Sequence, residues 1–113
     1  MKVSQLNPAP EHQTEFAWSH HATVPEKPGC YALVTFSGDI LYVGLATASI
    51  RSRIGCHLDT PDKRKAGAIG AAFWCYYTVR ESAEVGIIER GWMNQAILED
   101  GDIPPLNKLF SPI

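Results

Sequence analysis

Two short runs rich in β-branched and aromatic residues, 30–36 and 40–43, flank Ser37-Gly38-Asp39. Strand-forming runs on either side of turn chemistry predict a β-hairpin. Side chains alternate along a strand, so Tyr31 and Tyr42 share a sheet face only if the loop between the strands has an even number of residues. Gly38 suits a two-residue primed turn, and that hairpin puts both tyrosines on one face. The longest aromatic and β-branched run, residues 72–80, predicts a third, central strand.

Helical periodicity fills the gaps. Residues 49–58 read as a helix with Ser49 or Thr47 as N-cap, and Ile50, Ile54 and Leu58 form its buried stripe, with His57 at about 340° on the edge of that stripe and Arg53 beside it. Residues 61–70 are a basic, small-residue segment with a short helix. A long helix runs from Ser82 to about Leu98, ended by Gly101 and Pro104-Pro105. Its apolar stripe of Val85, Ile88, Trp92 and Ala96 also carries Glu89 at about 40°. A carboxylate there requires an arginine, a metal or a raised pKa. Residues 1–28, with four of the eight prolines, read as an extended, mostly irregular arm before a domain over 29–113. The expected fold is therefore α/β (α+β), a small antiparallel three-stranded sheet flanked by helices.

At 113 residues, 45% hydrophobic and 19% charged, the chain has the composition of one globular domain. No apolar run suits a membrane span, the first residues lack a secretory signal, and three cysteines without a C-x-x-C pair disfavour a disulfide framework or thiolate zinc site. A cytoplasmic location and no membrane partner are expected. With a net charge of −2, any nucleic-acid binding must come from a local patch. Positive charge is concentrated in Arg51, Arg53, Lys63, Arg64 and Lys65. His20-His21 reads as surface, since adjacent side chains diverge on any regular element.

The pattern Gly29-Cys30-Tyr31, ten residues, then Tyr42-Val43-Gly44, resembles the signature of the GIY-YIG nuclease family. Arg53 lies eleven residues beyond Tyr42, His57 four later, Glu89 falls on the later helix, and Asn107 follows Pro104-Pro105-Leu106. The resemblance spans Gly29 to Asn107 and implies a metal-dependent endonuclease acting on DNA, with Tyr31, Tyr42, Arg53, His57, Glu89 and Asn107 as site residues. It also implies a divalent ion, magnesium or manganese, on Glu89. Each residue type suits that chemistry. A single carboxylate is enough for a magnesium ion that keeps most of its waters, and an arginine fork matches phosphate oxygens. A tyrosine serves as general base only if neighbouring cations acidify it, a task for which Arg53 and His57 are spaced. Arg51, Lys63, Arg64 and Lys65 are the expected DNA contacts.

Cys30 stands where the family has isoleucine, no lysine follows Gly44, and eighteen residues separate Glu89 from Asn107, with the acidic Glu99-Asp100-Gly101-Asp102 among them. No zinc-finger spacing, basic zipper or helix-turn-helix is present, so structure-selective cleavage or recruitment by a targeting protein is expected. The competing reading is a non-catalytic nucleic-acid or protein binding module on the same fold.

Overall fold

The computed structural model describes residues 1–107. Its centre is a four-stranded antiparallel sheet of β1 (His12–Glu15), β2 (Gly29–Thr35), β3 (Ile40–Ala46) and β4 (Ala72–Val79), in the order β1-β4-β2-β3. Helices α1 (Trp18–His21), α2 (Ile50–Leu58), α3 (Pro61–Arg64) and α4 (Ser82–Asp100) complete the described elements, with a 3₁₀ turn at Val3–Gln5. The expected α+β class stands, with one more strand than the three expected. The added strand is β1, in the arm expected to be irregular. His12 to Glu15 pair with Tyr77 to Trp74 and shield the outer side of β4. Four residues carry too little periodicity to announce such a strand; the unpaired edge of β4 recruits it.

The arm is further fastened at both ends. Val3 and Leu6 enter the core beneath α4, Phe16 and Val24 the core beneath α2. Its backbone also pairs with α4, where the Trp92 indole N–H donates to Pro8 O at 2.8 Å and the Asn7 N–H donates to Gln95 Oε1 at 2.9 Å.

β2 is buried along its whole length because a helix covers each side of it. Cys30, Ala32 and Val34 face α4 with Val85, Trp92 and Met93. Tyr31 and Leu33 face α2 with Ile50, Ile54 and Leu58. Full burial on both faces explains why β2 reads as an unbroken apolar run rather than an alternating one.

The hairpin keeps the expected tyrosine alignment by a different route. Four residues, 36–39, separate the strands, and the register changes so that Leu33 pairs with Tyr42 but Val34 with Ile40, leaving Leu41 as a bulge. A two-residue Ser37-Gly38 turn of the primed type would need Ser37 at positive φ or glycine in its place. Gly38 has φ 101°, and among the described residues only glycines adopt such angles. The bulge absorbs the difference. Because Tyr31 shares a face with Leu33, and Leu33 is opposite Tyr42, both phenols project toward α2.

α2 begins where expected, with the Ser49 hydroxyl accepting from the Ser52 N–H at 3.2 Å. α4 ends at Gly101, whose left-handed φ of 81° lets its N–H reach Ile97 O at 2.8 Å.

Candidate active site

Two glycines make room for the site. A Cβ on Gly44 would lie 2.5 Å from both Cζ and Oη of Tyr31 and 2.8 Å from Cε1 of Tyr42. A Cβ on Gly29 would overlap Thr78 O and stand 2.7 Å from Ile50 Cδ1. Gly29 lets α2 and β4 close on β2, and Gly44 lets the phenols pack over the β3 backbone. The tyrosine rings stack at 6.1 Å and 26°.

α2 adds the next layer. Arg53 and His57 stand one turn apart on the helix that covers the phenols. The Tyr31 hydroxyl and His57 Nε2 are 2.7 Å apart, and the imidazole meets the Tyr42 ring edge-on at 4.8 Å. The Arg53 charge acts on the same phenol. A nearby guanidinium favours the phenol oxygen turning its lone pairs toward it, which leaves the hydroxyl proton for His57 Nε2. The remaining imidazole proton then belongs on Nδ1.

The ionisation of the cluster follows from burial. Tyr31 is fully buried and His57 6% exposed. Burial, assisted by the Lys63 and Arg53 charges, pushes His57 down to about 4, so it is neutral at pH 7. Burial pushes the Tyr31 phenol up, as does Tyr42, while Arg53 opposes both. Tyr31 in turn holds the Arg53 guanidinium more firmly protonated, against partial burial. Of the two expected cations only Arg53 supplies positive charge, and burial outweighs it, so Tyr31 is not acidified. His57 is instead a neutral acceptor.

The open side of the cluster consists of half-buried Tyr42, exposed Arg53 and Lys63 of α3, whose Nζ sits 4.9 Å from the centre of the Tyr42 ring. Sequence spacing marks Lys63 only as part of a basic run. Its place on Tyr42 depends on where α3 packs beside α2, a tertiary feature without a local signal.

Asn107 is seated on the free edge of β3. The Val43 N–H donates to its Oδ1 at 2.9 Å, its Nδ2 donates to Val43 O at 2.9 Å, and the Leu106 N–H donates to Leu41 O at 2.8 Å. The side-chain amide thus replaces a neighbouring strand beside Tyr42. The extra length between Glu89 and Asn107 leaves this clamp intact.

Glu89 is placed differently. It is buried on α4, and its charge acts on the Cys30 thiol. Burial and that carboxylate push Cys30 up to about 12. Cys30 faces α4 and Tyr31 faces α2, so the contacts described for Glu89 lie on the other face of β2 from the phenols. The donor set that the resemblance implies for a divalent ion is one carboxylate, which suits magnesium chemically.

Of the expected DNA contacts, Lys63, Arg64 and Lys65 lie on or just after α3, with Lys65 and Arg64 exposed. Arg51 is engaged elsewhere. Its guanidinium donates to Val24 O at 2.7 Å and Ala22 O at 3.1 Å and lies 3.7 Å from Glu26, fastening α2 to the loop after α1. His21 completes that junction through Arg51 O at 2.8 Å.

Neither a scan against models of protein families nor a search of curated proteins found a match for this chain. Among the described residues no helix is long and apolar enough to cross a membrane.

Proposed function

We propose that the chain is an endonuclease of the GIY-YIG type that hydrolyses DNA phosphodiester bonds and uses magnesium or manganese, with Tyr42, Arg53 and Lys63 meeting the phosphate. The observation that carries this reading is the convergence of Tyr31, Tyr42, Arg53 and His57 from three separate elements, with Asn107 clamping the strand that bears Tyr42. Separate residues matching a family order can arise by packing alone. Their meeting around one hydrogen-bonded phenol is what that order would be for.

Charge growing on phosphoryl oxygens is offset by an exposed guanidinium held in place, and Arg53 is such a group. Tyr31 and His57 lie beneath it and act as positioning residues, one holding Arg53, the other holding Tyr31. Glu89 would hold the divalent ion, which would supply Lewis acidity there. The α3 lysines and Arg64 provide the local positive patch that the net charge demands.

The test is cleavage of branched, nicked and flapped DNA with magnesium or manganese. Arg53→Ala should lower turnover about 10²–10³-fold, the usual cost of removing one preorganised charge-stabilising donor. Cleavage unchanged by Arg53→Ala and Tyr42→Phe would remove the site assignment. The full burial of Tyr31 and the position of Glu89 favour a second reading, a binding module that retains the hairpin cluster without chemistry. DNA binding with no cleavage under any divalent ion selects that reading.

A further inference from the structure

A cavity of about 250 Å³ opens next to the cluster, between α3 with its following loop and the segment that runs along β3. Its lining combines the charged Asp62, Lys63 and Lys65 with Ala66, Pro105 and Leu106. A smaller cavity of about 90 Å³, sharing Lys65, Pro105 and Leu106, extends it over Leu41 and Ile69. Lys63 lines this cavity and also stands over the Tyr42 ring, so cavity and cluster share one cation.

We infer that this cavity is a subsite for one nucleotide adjoining the phosphate held at Arg53. The inference rests on reading the neighbouring cluster as a phosphodiester site. An inorganic anion would use the two lysines and leave the apolar walls unused. A purely apolar ligand would leave two ammonium groups on its margin. A flat heterocycle bearing a phosphate uses both, the base against Pro105 and Leu106 and the phosphate toward Lys63 and Lys65, with Asp62 able to accept from a base or sugar donor. The volume lies below the roughly 300–1,000 Å³ of sites for drug-sized ligands, which fits a single unit rather than a longer stretch. A base must leave its stack to enter such a pocket, which costs least at a branch, flap or mismatch. The subsite therefore gives the chain a preference for unpaired positions without a separate DNA-reading module.

The experiment uses the full chain and deoxyadenosine monophosphate, with inorganic phosphate as the comparison ligand, followed by amide shifts in heteronuclear NMR. The nucleotide should move Lys65, Gly67 and Leu106 and bind at least tenfold more tightly than phosphate. Ala66→Glu, an exposed position whose new carboxylate would enter the cavity, should abolish those shifts without changing the rest of the spectrum. Lys65→Gln should lower the salt slope of single-stranded DNA binding by about 0.7, one phosphate contact. Equal affinity for phosphate and nucleotide, or shifts elsewhere, would overturn the subsite. Nucleotide shifts in the cavity of a chain that never cleaves DNA would support the subsite and count against the nuclease reading alone. Cleavage by a chain whose cavity ignores the nucleotide would do the reverse.

Discussion

His57 should make the fold acid-sensitive in a window where few other groups titrate. Its imidazole is 6% exposed and held near pKa 4, against about 6.5 for a free histidine. Between those values the unfolded chain takes up a proton that the folded chain refuses. Stability from this residue is complete above pH 6.5 and is lost as the pH falls through 4. A gap of about 2.5 pH units, at roughly 1.4 kcal/mol per unit, corresponds to about 3 kcal/mol. That is a large share of the 5–15 kcal/mol typical of a domain. The perturbation is His57→Gln, whose amide oxygen can still accept from Tyr31 but cannot titrate. Urea unfolding followed by tryptophan fluorescence from pH 7.5 to 4 should show the wild type losing about 3 kcal/mol more than the variant. His12, His20 and His21 are present in both proteins and cancel. Parallel pH profiles would refute the buried neutral imidazole, and with it the direction assigned to the Tyr31 hydrogen bond.

Three further outcomes follow from contacts beside the same pair. Gly44→Ala places a methyl group 2.5 Å from the Tyr31 hydroxyl and should cost about 1–3 kcal/mol in urea unfolding while weakening the Tyr31–His57 contact; an unchanged midpoint would mean the phenols are not packed over that backbone. Asn107→Asp keeps an acceptor for the Val43 N–H but sets an oxygen against Val43 O, a loss of about 1–3 kcal/mol at pH 7. Protonation restores the donor, so the carboxyl pKa rises in the folded state and the deficit should shrink as the pH falls through that raised value; a pH-independent deficit would place the clamp elsewhere. Changing Lys63, Arg64 and Lys65 together to Gln should flatten the salt dependence of DNA binding by a slope of about 2–3, and an unaltered slope would move the footprint off α3.

The hairpin, α2 and α4 were legible because their signals are local. The Ser49 cap, the Ile50–Ile54–Leu58 stripe and Gly101 each act within a few residues of the structure they determine. β1 was not, because His12–Glu15 becomes a strand only when β4 offers an unpaired edge. The face shared by Tyr31 and Tyr42 was readable from alternation even though the turn differed, because the bulge at Leu41 preserves the parity the primed turn would have given. The charge state of His57 was not readable. Spacing places it beside Arg53, but neutrality comes from burial and from Lys63, thirty-two positions beyond Tyr31 in the chain yet adjacent in the fold. Arg51 shows the converse. As sequence it is one more cation in a basic run, and the carbonyls of Ala22 and Val24 that engage it lie across the fold.

The Tyr31–His57 pair has no necessity as packing. A phenylalanine facing a leucine would fill the space between β2 and α2 without withdrawing two polar groups from water, and replacing both partners of a buried hydrogen bond by apolar groups of similar shape is often neutral or stabilising. What the polar pair provides is a single defined arrangement, since a buried network is favourable only when every member is satisfied. Here the Tyr31 proton goes to His57, and the phenol oxygen is left to interact with the charge of the exposed Arg53 guanidinium. Gly29 and Gly44 open the space for that arrangement, and Asn107 fixes the edge strand that carries the second phenol. Five positions, Gly29, Tyr31, Gly44, His57 and Asn107, are thus committed to holding one exposed cation and one half-buried phenol side by side. A fold that only had to be stable would place apolar side chains at the centre of that arrangement.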